Sequence, residues 1–439
     1  MRLTAFSILL TASAVILSAG GVSAQRTADT DGAFSDRLTT VRETALGQKQ
    51  NSQAAPAVEK NSPDLPADRR AEGIGISHSG DPLDIPDYRP AEIARMLKEA
   101  GGNYYRPHIP LKEALPFIDK AAMDKLRAAS SDPALLDRLT EELSKNGDWK
   151  RIDGLVDAFY SEGIKLAVVA GCGYQREAPE AELGGARTVI SPDRIGRDLY
   201  MTLVKWYVGA AARRYASRIP VWQVENEINV ANIHALAGWR INEASWKDRK
   251  YQLRLLRELS ETVHAEGKRQ SIKLRTAQNF ATQTFGWESY VRDAAGAGLD
   301  IAGIDLYGNY FFGWPLKDAE MADNVRRAKR AAGGGAVWVL EAGFARAPAA
   351  RGFTPERQAE YFKRLLDSSY RGGADVVLVF GWFWNPKGWY LDGGNTPQWY
   401  SPMAAEPYWS PIEKLPDGKT VFHGAWEEFK KAAQKWAPR

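Results

Sequence analysis

Two strings place carboxylates where an apolar strand stops. "VWQVENEINV" (221–230) opens with Val221, Trp222 and Val224, which suit a pleat after Pro220, and closes on Glu225, Asn226, Glu227 and Asn229. "AVWVLEAG" (336–343) is an apolar run that carries one charge, Glu341. Charged residues are seldom buried unless paired, so carboxylates at two strand ends point to work rather than packing. Two carboxyls facing each other across a cleft suit glycoside hydrolysis: one protonates the leaving oxygen while the other attacks the anomeric carbon. The pair must differ in acidity, and neighbouring cations and hydrogen bonds set that difference. Arg106, in "NYYRPHI" (103–109), could keep one carboxylate ionised, and Tyr307, in "IAGIDLY" (301–307), could donate a hydrogen bond to it. Each also has a plainer reading, a surface ion pair for Arg106 and a core tyrosine for Tyr307.

The elements that would carry these residues alternate from residue 73 onward. "GIGIS" (73–77) reads as a strand, and "PAEIARMLKEAGG" (90–102) as a helix that ends at glycine. Further strands are expected at 103–109, 164–171, 220–226, 272–278, 301–307, 336–343 and 374–384. Helices are expected at 149–163, 193–216, 246–267, 286–298, 318–332, 354–372 and near 424–436. Strands joined by helical crossovers pair in parallel. The expected fold class is therefore α/β, a (β/α)8 TIM barrel with long loops. A doubly wound open sheet would favour a glycine-rich phosphate turn after the first strand, and "GISHSGDPLD" is not one. Segment 110–148 is long for a crossover and is expected to form extra helices over one rim of the cleft.

In such a barrel the C-terminal strand ends line the active site. Those ends carry Arg106 and His108, Cys172 and Tyr174, Asn226 and Glu227, Gln278 and Asn279, Asp305 and Tyr307, Glu341, and Trp382 and Trp384. Alternation puts Trp382 and Trp384 on one side of strand 8. His108 and Cys172 read first as packing residues. Five histidines yield no obvious Ser-His-Asp set, and no His/Cys/Asp cluster has metal spacing, so no metal and no cofactor is expected. Of the 15 tryptophans, those at 382, 384, 389, 399 and 409 cluster in and after strand 8. Such clustering suggests stacking faces for sugar rings in an aromatic loop, 385–410, beside the cleft.

The N-terminus is a separate matter. Arg2 precedes the apolar "LTAFSILLTASAVILSAG", and Val22-Ser23-Ala24 fits a small-x-small cleavage site. Residues 1–24 are expected to be a signal peptide cut after Ala24, making the protein secreted or periplasmic with no membrane span once the signal is removed. Residues 25–70 are polar, with Phe34 as their only aromatic, and are expected to be a flexible linker. Residues 71–439 are expected to form the barrel domain. A lone cysteine excludes an internal disulfide framework. The net charge of +4 and the lack of a Lys/Arg block give no reason to expect a nucleic-acid partner. The expected partner is a polysaccharide or oligosaccharide, met by a monomer.

Taken in order, these strings resemble a known group. "WQVENEIN" resembles the strand-4 signature of clan A glycoside hydrolases, where an Asn-Glu pair ends the strand, and "VWVLEAGF" resembles their strand-7 signature. The texture is closest to families 39 and 5, including bacterial exopolysaccharide glycosidases, over roughly residues 73–435. The resemblance implies Glu227 as acid/base, Glu341 as nucleophile, and Asn226 as the partner of the substrate 2-hydroxyl. It implies Arg106 and Tyr307 as supports of the nucleophile, and one of Trp382 and Trp384 as the sugar platform. With strand-end position, this makes Asn226, Arg106, Tyr307, Trp382, Trp384, His108 and Asn279 the substrate-binding candidates. Glu225 stands where many members have an aromatic, and Ile228 where they have Pro; Glu225 is open to a structural or a substrate-contacting role. The implied activity is retaining, endo-acting hydrolysis. The rival readings are a non-catalytic carbohydrate-binding barrel and an envelope-associated scaffold.

Overall fold

Strands of alternating inward and outward side chains need a helix to cover the outer face and a closed ring to fill the inner one. The computed structural model has both. It describes residues 71–78, 89–171, 179–183, 185–230, 243–284, 286–307, 318–347, 349, 352–381, 383–384, 409–414 and 419–438. The strands are β1 (Gly73–Ser77), β2 (Tyr104–Arg106), β3 (Lys165–Val169), β4 (Val221–Gln223), β5 (Arg275–Ala281), β6 (Ile301–Tyr307), β7 (Ala336–Gly343) and β8 (Val376–Phe380). Each is parallel to the next, and β8 pairs with β1, closing an eight-stranded barrel. The covering helices are α1 (Pro90–Glu99), α2 (Lys150–Ser161), α3 (Arg197–Tyr215), α4 (Arg249–Arg269), α5 (Trp287–Gly296), α6 (Asp318–Ala331), α7 (Pro355–Gly372) and α8 (Gly424–Trp436). The fold is a (β/α)8 barrel. The signal and linker segments expected at 1–24 and 25–70, with Cys172, Tyr174 and Trp382, lie outside the described residues. No helix among the described residues is long and apolar enough to cross a membrane.

The barrel divides its apolar residues into two cores. Tyr104, Val221, Ile301, Trp338, Leu340 and Leu378 pack inside the ring with smaller neighbours, and the outward residues pack under the helices. Tyr104 fits inside because β1 carries glycine next to it: a Cβ on Gly75 would lie 1.8 Å from the Tyr104 carbonyl oxygen. Outside, Tyr105 stacks on Phe159 of α2 with ring centroids 4.1 Å apart.

Three sequence expectations change. The strand expected at 272–278 starts later, at Arg275, because the chain leaves α4 through Ser271 in a left-handed turn (φ 57°). Segment 110–148 does form helices, but Pro133–Asn146 lies beside α3 on the outer ring rather than over the mouth. There Trp206 donates to the Leu139 carbonyl (2.9 Å), and Arg213 pairs with Asp137 and Glu141. Its apolar stripe of Leu139 and Leu143 is satisfied against α3, which is buried nearly all round. The rim instead carries a small sheet of Phe117–Ile118, Glu180–Leu183 and Ala186–Val189. Finally, β8 stops at Phe380. Gly381 (φ 98°) turns the chain out of the barrel, and Phe383–Trp384 pairs with Ile412–Lys414. Trp384 therefore lies beyond β8.

Candidate active site

The mouth is organised around one buried guanidinium. Tyr104 and Arg106 share the inward parity of β2, so the strand that plugs the barrel with an aromatic ring ends by aiming a cation into the mouth. Arg106 is 0% exposed. Its Nη1 donates to Glu341 Oε1 (2.9 Å) and Ser77 Oγ (2.6 Å), its Nη2 to Asn226 Oδ1 (2.6 Å), and its Nε to Gln223 Oε1 (2.7 Å). Three other strands, β1, β4 and β7, thus converge on this one side chain of β2.

Glu341 reaches this cation because β7 is irregular. Trp338 and Leu340 face the barrel interior, while Val337, Val339 and Ala342 face the helices. Strict alternation would turn Glu341 outward. The register shifts between Val339 and Glu341, and this bulge changes the phase so that the carboxylate enters the mouth. Tyr307 OH then donates to Glu341 Oε2 at 2.7 Å, and Asn279 Nδ2 lies 3.4 Å from Oε1. Tyr307 is itself braced by Trp409, with ring centroids 5.1 Å apart, and by Phe380 edge-on. Trp409, expected among the sugar-stacking rings, is buried and serves as packing.

Glu227 stands opposite, after β4. Its backbone is left-handed (φ 44°) although it has a side chain. Such a residue costs about 1–3 kcal/mol and persists only where its surroundings enforce it. Here Asn279 Oδ1 accepts from the Glu227 amide at 3.0 Å. Asn229 locks the following turn to β5, exchanging bonds with Ala281 and donating to Thr284 Oγ1 (2.6 Å). The two asparagines of the string have separate tasks: Asn229 holds the turn, and Asn226 turns its Oδ1 to Arg106 and Gln223.

Glu225 is turned elsewhere. Its carboxylate packs on Gly171, where a Cβ would come within 2.6 Å of it. Burial first, and the Glu225 charge second, push the Tyr251 hydroxyl of α4 well up. Glu225 therefore sits on the α4 side of the strand end. Asp305, by contrast, feels Glu341 and Glu227. Burial foremost, then those two charges, push its carboxyl well above the ordinary range, against weaker pulls from Arg106 and Asn279.

Of the expected site residues, Arg106, Asn226, Asn279, Tyr307 and Glu341 meet in one hydrogen-bonded cluster, and Glu227 joins it through its backbone. His108 is buried two residues beyond Arg106, its backbone bridged to Val169. Trp384 lies in the strand that leaves the barrel. The residues that sequence reasoning missed are Ser77 and Gln223. Gln223 Nε2 reaches the Glu225 carbonyl (2.7 Å), Asn226 Oδ1 (3.1 Å) and Asn279 Oδ1 (2.7 Å). Their signal was parity: each is polar at an inward position of a short strand. Among the described residues no group of His, Cys, Asp and Glu is arranged to hold a metal ion.

Solved structures share this barrel at low sequence identity. The β-glycosidase of Thermosphaera aggregans matches with a TM-score of 0.59 and 11% identity, over 86% of this chain and 98% of its own. The β-glucosidase of Pyrococcus furiosus matches with a TM-score of 0.58 and 12% identity, over 86% and 97%. The family 1 β-glucosidase of Thermotoga maritima matches with a TM-score of 0.53 and 11% identity, over 86% and 100%. At such identity the likeness is one of fold. No family model matches the chain, and no curated protein matches it in sequence.

Proposed function

We propose that the protein is an exported retaining glycoside hydrolase that cleaves a polysaccharide or oligosaccharide, with endo action, by double displacement. The observation that carries this reading is the grip on Glu341. One oxygen accepts from Arg106 and the other from Tyr307, while Asn279 links that carboxylate to the backbone of Glu227. In the first step a Glu341 oxygen forms a bond to the anomeric carbon as the glycosidic C–O bond breaks. Glu227 gives its proton to the leaving oxygen. In the second step Glu227 takes a proton from water, whose oxygen attacks the same carbon and releases Glu341 as a carboxylate. Asn226, with its oxygen occupied by Arg106 and Gln223, keeps its amide hydrogens for a sugar hydroxyl. The two glutamate carboxyls should be about 5–5.5 Å apart, the spacing that leaves no room for an intervening water.

Solved structures that share the fold are, by name, a β-glycosidase and two β-glucosidases, which supports a glycosidase reading. Export rests on the apolar leader with its small-residue cleavage site, and endo action on the aromatic-rich sequence of segment 385–410. The test is a polysaccharide panel with product sizing, followed by NMR of the first-formed anomer. Retained configuration is expected. Inversion, or no cleavage of any glycan, would sink the reading.

A further inference from the structure

Asp305 takes no part in the reaction above, yet it is a carboxyl of the site with no exposure at all. It points inward from β6, in register with Glu341 on β7. Its Oδ2 accepts from Asn279 Nδ2 at 2.9 Å, and its Oδ1 has no hydrogen-bond partner. The buried cation nearby, Arg106, spends its bonds on Gln223, Ser77, Asn226 and Glu341. Glu341 from β7 and Glu227 from the β4 end are the other charged groups that act on it. A carboxylate here would be desolvated, half unpartnered and repelled by its neighbours, whereas a neutral acid meets none of these costs in full.

We propose that Asp305 is held as the neutral acid and is the positioning residue that sets the Asn279 side-chain amide between the two glutamates, a role that rests on the glycosidase reading. Asn279 has one orientation that satisfies all its neighbours. Its Oδ1 accepts from the Glu227 amide (3.0 Å) and from Gln223 Nε2 (2.7 Å), so its NH2 group faces Asp305 (2.9 Å) and Glu341 (3.4 Å). As an acid, Asp305 offers a carbonyl oxygen to one of those hydrogens and leaves the other for Glu341. As an anion it would draw the amide away from Glu341 and set a second negative charge beside the attacking carboxylate. The neutral form keeps the attacking charge on Glu341 alone.

The test uses the full chain with Asp305→Asn and Asp305→Ala. Infrared difference spectra at neutral pH should show a protonated-carboxyl C=O stretch that Asp305→Asn removes and Glu227→Gln does not. Asp305→Asn keeps the acceptor, so kcat should stay within about threefold and both limbs of the kcat/KM pH profile should stay in place. Asp305→Ala releases Asn279 and should lower kcat by about tenfold or more with little change in KM. If the Ala variant does not fold, Asp305→Ser stands in for it. Two results overturn the neutral acid: no carboxyl band lost in Asp305→Asn, or both pH limbs displaced downward by about a unit, as removal of a real charge would do. Unchanged kcat in Asp305→Ala overturns the positioning role. The infrared result needs no turnover, so it separates failure of this proposal from failure of the glycosidase reading.

Discussion

The two ends of the barrel solve the same problem in opposite ways. At the N-terminal end, Arg275 holds Glu72 through both terminal guanidinium nitrogens, and Tyr104 OH donates to the same carboxylate at 2.6 Å. Arg275 also lies over the Trp338 ring, and Lys165 over the Tyr104 ring. Two cations attend one carboxylate, and both partners of the pair keep some contact with water. Burial pushes the Glu72 carboxyl up, but the hydrogen bonds from Arg275 and Tyr104 outweigh it and leave it below the ordinary value. At the mouth, one fully buried guanidinium serves a neighbourhood that holds Glu341, Glu227 and Asp305. The bottom has cations to spare for its one carboxylate and stays partly hydrated, which suits a structural ion pair. Among the described residues, Glu341, Glu227 and Asp305 crowd around Arg106, and burial with the other two charges pushes the Asp305 carboxyl up. Under the proposed reaction, that crowding serves proton transfer rather than stability.

The largest effect that would test this contrast is on turnover. Glu341→Gln is expected to lower kcat by roughly 10⁴-fold or more while the fold holds, since the amide oxygen still accepts from Arg106. Glu72→Gln at the other end should leave kcat within about twofold. Equal losses from both variants, measured on one substrate, would erase the distinction. Next, Glu227→Ala should cost about 10²–10⁴-fold on poor leaving groups and far less on activated aryl glycosides, with partial rescue by azide. Glu225→Ala should show neither behaviour, because its carboxylate faces Gly171 and the α4 side; if it shows both, the two roles are exchanged.

Stability separates the ends next. Arg106→Met strands Glu341 in a buried site and should cost about 3–5 kcal/mol. Arg275→Met breaks a partly hydrated pair and should cost about 1 kcal/mol. Denaturant midpoints that reverse this order would show that the bottom pair is the essential one. The smallest effect is a pair of opposed pH slopes. Glu72 has a lowered value in the folded state, so its contribution is present above the ordinary value of 4.5 and is lost as pH falls through the folded value. Asp305 has a raised value, so above the ordinary 3.8 the unfolded chain sheds a proton that the folded chain keeps, and stability falls as pH rises. Melting curves should therefore show Asp305→Asn gaining on the wild type with rising pH and Glu72→Gln losing to it. Parallel slopes would mean that both carboxyls are paired alike.

Much of this was legible from local sequence. Strand–helix alternation, with its switch between two-residue and helical periods, gave the barrel, because those periods are properties of short segments. Residue type and strand-end position singled out Glu227, Glu341, Arg106, Asn226, Asn279 and Tyr307. The end of β8 was misjudged because Gly381 looks like any strand glycine until its φ is known. The bulge at Leu340 was invisible for a related reason: alternation along "VWVLEAG" is uniform, and only pairing with β6 shows where the register slips. The crowding of Glu341, Glu227 and Asp305 around Arg106 could not be read at all. It is a property of distance between residues far apart in the chain, and Asp305 becomes a protonation problem only when the closed barrel buries it beside Glu341 and turns Arg106 to other partners.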